Sequence, residues 1–497
     1  MGRLLTFMRS VWFFRIILSL FFISSAWIAL ASIYPMAFDE EFHYGLLQIY
    51  AGSWLPYGIT HTSDMAQYGA ATADASYLFH YLMSFPYRML DAVGLANDTI
   101  IIALRFINIA FVIVALAIFR RAFLDAGVGR ATTHVALALV TTVPVFTVLA
   151  AHINYDNLLL PIIAWCVLLI VHLTKQAYAG KPLRLRESLL LAFAVLIGMS
   201  VKYAFLPLAL AMFVWLLWLV VVSYRKHKQT ISSQLTNYKT EWRTASKRAR
   251  RLAIGLAVIS LFFASHYVTN ALSYGNPIPT CEQVFSETEC QAYGPWYRNQ
   301  LLVALKPASF QPVTYPEYLA TEWFPGMTQR LTFAVAGKTN DFQTELPFPA
   351  LVISYVSLAV VGMIAFTIQL IRRRSSWFMM FAGLLTLIYA SVLSVKLYGS
   401  YVSTAEPIAI NGRYLLPLLP LLTVAFIQAL RNILTPVSSR VLAAVTALVF
   451  AWLIVCGAGA ITYIVLAHEH WFWNGFAQST HSALQAFFER IVLPYRY

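Results

Sequence analysis

The sequence predicts an all-α polytopic membrane protein, and three observations carry that prediction. Hydrophobic residues fill 60% of the 497 positions and charged residues only 11%, with a mean hydropathy of +0.68, a balance no soluble domain needs. Apolar runs close to the roughly 20 residues that cross a bilayer recur along the chain. The loops between them separate by charge, Lys and Arg on one side and Asp and Glu on the other.

Taken in order, spans are expected near 11–34, 101–119, 131–151, 158–174, 187–201, 203–223, 252–272, 350–371, 377–397, 414–430 and 440–466, roughly eleven in all. The 187–223 region is too long for one span, and Lys202 with Pro207 marks a break into two. The first run ends on Ala29-Leu30-Ala31, which looks like a cleavage site. Its apolar stretch exceeds the roughly 7–15 residues of a signal core, so it reads as an uncleaved anchor. Two segments are too long to be connectors. Residues 35–100 end in an aromatic helix, Tyr77 to Leu90, that reads as an interfacial segment, and residues 273–349 read as an irregular cap. The expected organisation is an N-terminal transmembrane module (1–272, including the loop 35–100), the cap (273–349), a C-terminal transmembrane module (350–466) and a tail (467–497).

Charge then orients the chain. Arg3, Arg9, Arg120, Arg121, Arg130, the run from Arg225 to Arg251, Arg372 to Arg374, Arg431 and Arg440 fall in loops of one side. Among acidic residues only Asp125, Glu187 and Glu241 join them. This predicts an N-in, C-out topology with the long loops outside. The net charge of +14 is thereby explained by topology, without nucleic acid. The basic loop around Arg225–Arg251 could also meet anionic headgroups. Cys281 and Cys290 lie in the external cap, where disulfides persist, and are expected to pair. Cys166 and Cys456 sit in spans as packing residues.

The residues that could carry chemistry collect at the outer helix ends. Asp39-Glu40-Glu41 and His43 follow the first span; charge at that depth is expensive and implies use. Adjacent carboxylates suit a general base or a divalent cation, and His43 shares a helical face with Asp39. A helix N-cap is the plainer role for Asp39. A second acid, Asp156, lies in the short turn His152-Ile153-Asn154-Tyr155-Asp156-Asn157, where Asn and Asp also serve as turn formers. Lys202, Arg105, Arg413 and Lys396 stand at outer helix ends against the inside bias, placed to grip phosphate or to snorkel. Arg413 sits in Asn411-Gly412-Arg413-Tyr414-Leu415-Leu416-Pro417, where Gly412 permits a close backbone approach. No CxxC, HExxH, P-loop or GxSxG motif occurs, which leaves zinc hydrolysis, nucleotide hydrolysis and serine esterase chemistry without support.

The acidic pair after the first span, the second acid after the third and the basic residue before a late span resemble GT-C-type integral membrane glycosyltransferases. That superfamily includes protein O-mannosyltransferases and the enzymes that transfer aminoarabinose to lipid A. Pro35…Asp39-Glu40…His43 and the Gly412-Arg413-Tyr414-Leu415-Leu416-Pro417 run look like those of uncharacterised bacterial members. The resemblance implies a polyprenyl-phosphate sugar donor used on the periplasmic face of a bacterial inner membrane. In it Asp39, with Glu40 beside it, would be catalytic. Asp156, His43 and Asn154 would meet the acceptor or a metal, and Arg413, Lys202, Arg105 and Tyr414 the donor phosphate. The one cofactor it implies is an optional divalent cation (Mg or Mn), at Asp39 and Asp156. Glu41 departs from the more usual small residue after the pair, and no soluble repeat domain follows the last span, so acceptor recognition falls to the loops at 35–100 and 273–349. The rival readings are a lipid-linked oligosaccharide polymerase or ligase, working through Arg and His, and a transporter, in which charges would sit nearer the bilayer midplane.

Overall fold

A computed structural model describes residues 2–36, 39–57, 59, 61–228, 230–332, 348–435 and 437–492. Part of the cap (333–347) and the end of the tail (493–497) lie outside the described residues. The chain is all-α. Among the described residues the nearest thing to a strand is an isolated bridge between Ser32 and Phe472.

The helices of the first half are α1 (Gly2–Arg9), α2 (Val11–Ala31), α3 (Glu40–Ala51), α4 (Leu78–Ala92), α5 (Asn97–Asp125), α6 (Arg130–Thr142), α7 (Pro144–Ala150), α8 (Tyr155–Tyr178), α9 (Leu185–Val201), α10 (Leu206–His227), α11 (Ile231–Thr244) and α12 (Lys247–Tyr274). The cap holds α13 (Cys281–Val284), α14 (Glu287–Cys290), α15 (Gly294–Leu305), α16 (Tyr315–Tyr318) and α17 (Phe324–Thr332). The second half holds α18 (Pro349–Ile371), α19 (Trp377–Thr404), α20 (Leu419–Ile433), α21 (Ser439–Val455), α22 (Ile461–Leu466) and α23 (Phe476–Ile491). Several start on a side-chain cap: Ser10, Asn154, Thr230, Ser246, Ser376 and Ser438 each accept from a backbone N–H of the first turn.

Seven of the described helices are long and apolar enough to cross a membrane, and an eighth span forms if the bent pair α6–α7 counts as one. The expected total of eleven differs for local reasons. The 131–151 run bends by 74° between α6 and α7, because Pro144 forces Val143 into an extended conformation. The 440–466 run stops at Val455 and restarts at Ile461 across Gly457 and Gly459, both at positive φ, a conformation glycine takes without penalty. The helices α9, α20 and α21 span only 17, 15 and 17 residues. The 187–223 region breaks at Lys202 as expected, with Lys202 extended and Pro207 in the first turn of α10.

The core forms around α5 and α8, with α2, α6, α7, α9 and α10 packed about them. In the most apolar stretch of α8 72% of residues are buried, against 11% in α12. Thus α8 is central, while α12 leans on α9 and leaves most of its surface for lipid. The aromatic segment expected as interfacial is α4, and it is more than a surface helix. It buries Leu78, Phe79, His80, Met83 and Ser84.

One end of the bundle gathers the C-termini of α2, α7, α9 and α19 with the N-termini of α5, α8 and α10, as the contacts below show. The cap rests on the same end, where Cys281 and Cys290 form a disulfide of 2.05 Å packed with Ala66 and Phe285. Cys166 and Cys456 are free and buried. Maleimide labelling of unfolded, unreduced protein should therefore find two thiols per chain, and four after reduction. Four before reduction would exclude the bridge.

Candidate functional site

The site begins where α2 ends. Glu40, the first residue of α3, is fully buried against a fully buried Arg105 from α5. The pair is bidentate: Arg105 Nε donates to Oε1 at 2.8 Å and Nη2 to Oε2 at 2.7 Å. The remaining valences are filled from three further segments. Arg105 Nη1 donates to the carbonyls of Ala29 and Ser32 at the end of α2. Glu40 accepts the backbone N–H of Met36 at 2.9 Å and of Ile153, in the α7–α8 turn, at 3.3 Å. Burial pushes the Glu40 carboxyl up, but Arg105 outweighs it, and the carboxyl ends below its usual value.

Asp39 has a different fate. Its backbone is left-handed, φ 65°, and its side chain makes no cap bond to α3. Asp is among the few side chains that tolerate this conformation, at about 1 kcal/mol or more. Instead Oδ2 accepts from Nη2 of Arg413 at 2.6 Å. The Asp39 side chain keeps 54% of its surface exposed, while that of Arg413 keeps 9%. Burial disfavours the Arg413 cation, yet Asp39 and the surrounding Tyr414, Tyr155 and Asp156 hold its pKa above the ordinary guanidinium value. Arg413 is aimed by its loop. Asn411 accepts from its backbone N–H at 3.0 Å, and a Cβ on Gly412 would lie 2.5 Å from the Met327 carbonyl of α17. The close approach that Gly412 permits is thus to α17.

A second pair lies beside the first. Asp156 Oδ1 accepts from Lys202 Nζ at 2.6 Å, with side-chain exposures of 5% and 9%. The Lys202 ammonium stands 4.3 Å from the Tyr155 ring and 5.2 Å from that of Tyr414. The other Asp156 oxygen, Oδ2, is buried without a hydrogen-bond partner, which a buried carboxylate seldom tolerates unless something else fills the place. Asn154 shapes this turn: its side-chain oxygen caps α8 by accepting from the Asp156 N–H at 2.9 Å. Asn157 donates to Leu149 O, His152 O and Asn108 Oδ1.

One helical turn after Asp39, buried His43 meets His80 of α4, Nδ1 to Nε2, at 2.9 Å. The His43 ring stands edge-on to Tyr155 at 4.4 Å. Burial, then the neighbouring His80, Arg413 and Lys202, keep His43 neutral and well below its usual pKa. Burial alone takes His80 down to about 3. His152 falls to about 4, burial outweighing the favourable field of Glu40. On the open side, Phe42 lies between the rings of Tyr68 and Tyr293, at 5.9 and 6.3 Å. Glu41 is exposed. So is Lys396 on α19, which donates to the Tyr203 hydroxyl at 3.1 Å.

The structure therefore brings Asp39, Glu40, His43, Asn154, Asp156, Lys202, Arg105, Arg413 and Tyr414 to one place and sorts them. Arg105 is expected at a phosphate site, but its guanidinium is enclosed by Glu40 and two carbonyls. Asn154 serves its own turn. For a divalent cation, no group of three or more His, Cys, Asp or Glu converges among the described residues, and Arg413 and Lys202 stand where a metal would neutralise Asp39 and Asp156. Sequence reasoning missed His80, Tyr155 and Tyr293. His80 sat in the aromatic run read as interfacial, and its burial was the missing signal. Comparison with protein-family models, curated proteins and solved structures finds no match for this chain.

The three buried histidines of this site, His43, His80 and His152, make stability depend on pH. All three are held below the unfolded value of about 6.5, so the unfolded chain binds protons first and stability is lost as pH falls below that value. Between pH 6.5 and 5, above the carboxylate range, the melting temperature in detergent should fall, each histidine adding up to about 1.4 kcal/mol per pH unit. His43→Gln/His80→Gln should flatten that slope. An unchanged slope would show that the pair is charged or solvated in the folded protein.

Proposed function

We propose that the protein is a membrane glycosyltransferase that moves a sugar from a polyprenyl-phosphate donor to an acceptor hydroxyl at the Asp39 end of the bundle. The observation that supports it most is the contrast between adjacent carboxylates. Glu40 is locked into the scaffold, while Asp39 is half-exposed, conformationally strained and held by a buried arginine. Two cations within one site suit a leaving phosphate, since fixed positive charge is worth most where negative charge develops.

In this reading the Asp39 carboxylate takes the proton of the acceptor hydroxyl as the acceptor oxygen attacks the anomeric carbon. The bond from that carbon to the phosphate oxygen breaks, and polyprenyl phosphate leaves with the bonding electrons. Arg413 orients Asp39 and, with Lys202, faces the departing phosphate. Lysine carries three donors, and one of those of Lys202 is used by Asp156. The unpartnered Asp156 Oδ2 is placed to accept from an acceptor hydroxyl. The site end faces the periplasm in this proposal, supported by the Lys and Arg of the opposite end and by the disulfide in the cap. Charges gathered at one rim fit transfer at a membrane surface better than a transport path through the midplane. The polymerase or ligase alternative draws on the same Arg413 and His43.

The test is transfer of radiolabelled sugar from polyprenyl-phosphate donors by purified protein. Asp39→Asn should lower turnover by about 10²-fold or more, and Arg413→Ala or Lys202→Ala by about 10²–10³-fold, while Glu41→Gln stays near wild type. Equal turnover in Asp39→Asn, with Arg413→Ala inactive, would favour the polymerase or ligase reading.

A further inference from the structure

At the opposite end of the bundle a cleft of about 440 Å³ runs between α9 and α10 and is closed by α11, lined by Leu191, Val195, Met212, Leu216, Leu217 and Leu235 among others. Its volume falls in the roughly 300–1,000 Å³ range of ligand sites. Among the described residues no side chain fills it. Along α10 its wall extends from Ala209 to Ser223, roughly 21 Å at 1.5 Å per residue, or more than half of a hydrocarbon core about 30 Å thick. That is the reach of one acyl chain from one leaflet.

The closure is a built feature. Gln234 of α11 both accepts from Leu183 N–H at 2.9 Å and donates to Leu183 O at 2.7 Å. Glu241 accepts from Leu185 N–H at 2.7 Å, and the hydroxyls of Tyr238 and Ser188 meet at 2.7 Å. α11 is thus pinned to the segment entering α9. Yet its apolar residues Ile231 and Leu235, both of which line the cleft, remain 66% and 61% exposed. A polar helix docked this firmly, with its apolar face turned to an unfilled slot, is shaped around something apolar that enters from the side.

Charge identifies the head of that molecule. Lys226, in the last turn of α10, and Lys228, its C-cap, follow Ser223 of the cleft wall, and Lys239 and Arg243 lie on α11 itself. The single acid of α11, Glu241, already bonds Leu185 N–H and Asn237. We propose that this cleft binds an anionic phospholipid, one acyl chain in the slot and the phosphate headgroup on these cations, so that the lipid completes the packing of α11 on α9 and α10. Basic residues on an amphipathic helix at a membrane surface attract anionic headgroups.

The test uses the full-length protein in detergent, titrated with phosphatidylglycerol or phosphatidylcholine of the same acyl chains and followed by native mass spectrometry. Phosphatidylglycerol should bind about tenfold more tightly, the weight of one to two Lys or Arg contacts. Lys226→Ala/Lys228→Ala, at exposed positions, should remove the preference. Ala192→Trp, on the open wall of the cleft, should weaken both lipids. Equal binding of the two headgroups to the wild type, or undiminished phosphatidylglycerol binding in an Ala192→Trp protein that melts like wild type, would overturn the assignment.

Discussion

The buried pairing of Glu40 with Arg105 is the constraint from which the site end of this protein follows. Removing two charges from water costs several kcal/mol per ion, and the pair returns that only through excellent geometry and full hydrogen bonding. Here both conditions hold. The bidentate contact uses Nε and Nη2, and Nη1 reaches Ala29 and Ser32, while Met36 and Ile153 supply N–H donors to the carboxylate. Four pieces of chain are tied at that point: the end of α2, the start of α3, α5 and the α7–α8 turn.

The neighbours of the pair inherit their positions from it. Asp39 precedes Glu40 directly, so fixing Glu40 inward leaves Asp39 at the rim in its left-handed conformation. His43 lies one turn further along α3, against His80 and Tyr155. The α7–α8 turn, held through Ile153, presents Asp156 to Lys202. Each of the three carboxylates is matched by one cation, so the cluster is electrically balanced without becoming uniform. Exposure rises from none at Glu40 to 5% at Asp156 and 54% at Asp39. That gradient separates the enclosed carboxylate from the solvent-reachable one more sharply than charge alone.

Much of this was legible in the chain. Composition and apolar runs predict an all-α membrane protein, and the break at Lys202 followed from one lysine and one proline in an overlong run. The gathering of Asp39, Asp156, Lys202 and Arg413 was inferable because all four were assigned to helix ends on one side. What could not be read was partnership. Nothing in the order Asp39-Glu40 says which carboxylate turns inward, since that depends on Arg105, 65 residues away in sequence. Helix breaks were not legible where a local feature overrode hydropathy, as at Val143-Pro144 and at Gly457 and Gly459. The His43–His80 contact was hidden for a similar reason, because α4 resembles a surface helix until its packing against α3 is known.

The most direct measurement of this division of labour is a double-mutant cycle on Glu40 and Arg105, read as unfolding free energy in mixed micelles. Glu40→Gln and Arg105→Met should each cost about 3–5 kcal/mol, because either leaves a buried charge alone. The double variant should cost far less than their sum, and Asp39→Asn, at a side chain 54% exposed, should cost less than Glu40→Gln. Additive losses, or an Asp39→Asn protein as destabilised as Glu40→Gln, would contradict the assignment of Glu40, and not Asp39, to the scaffold.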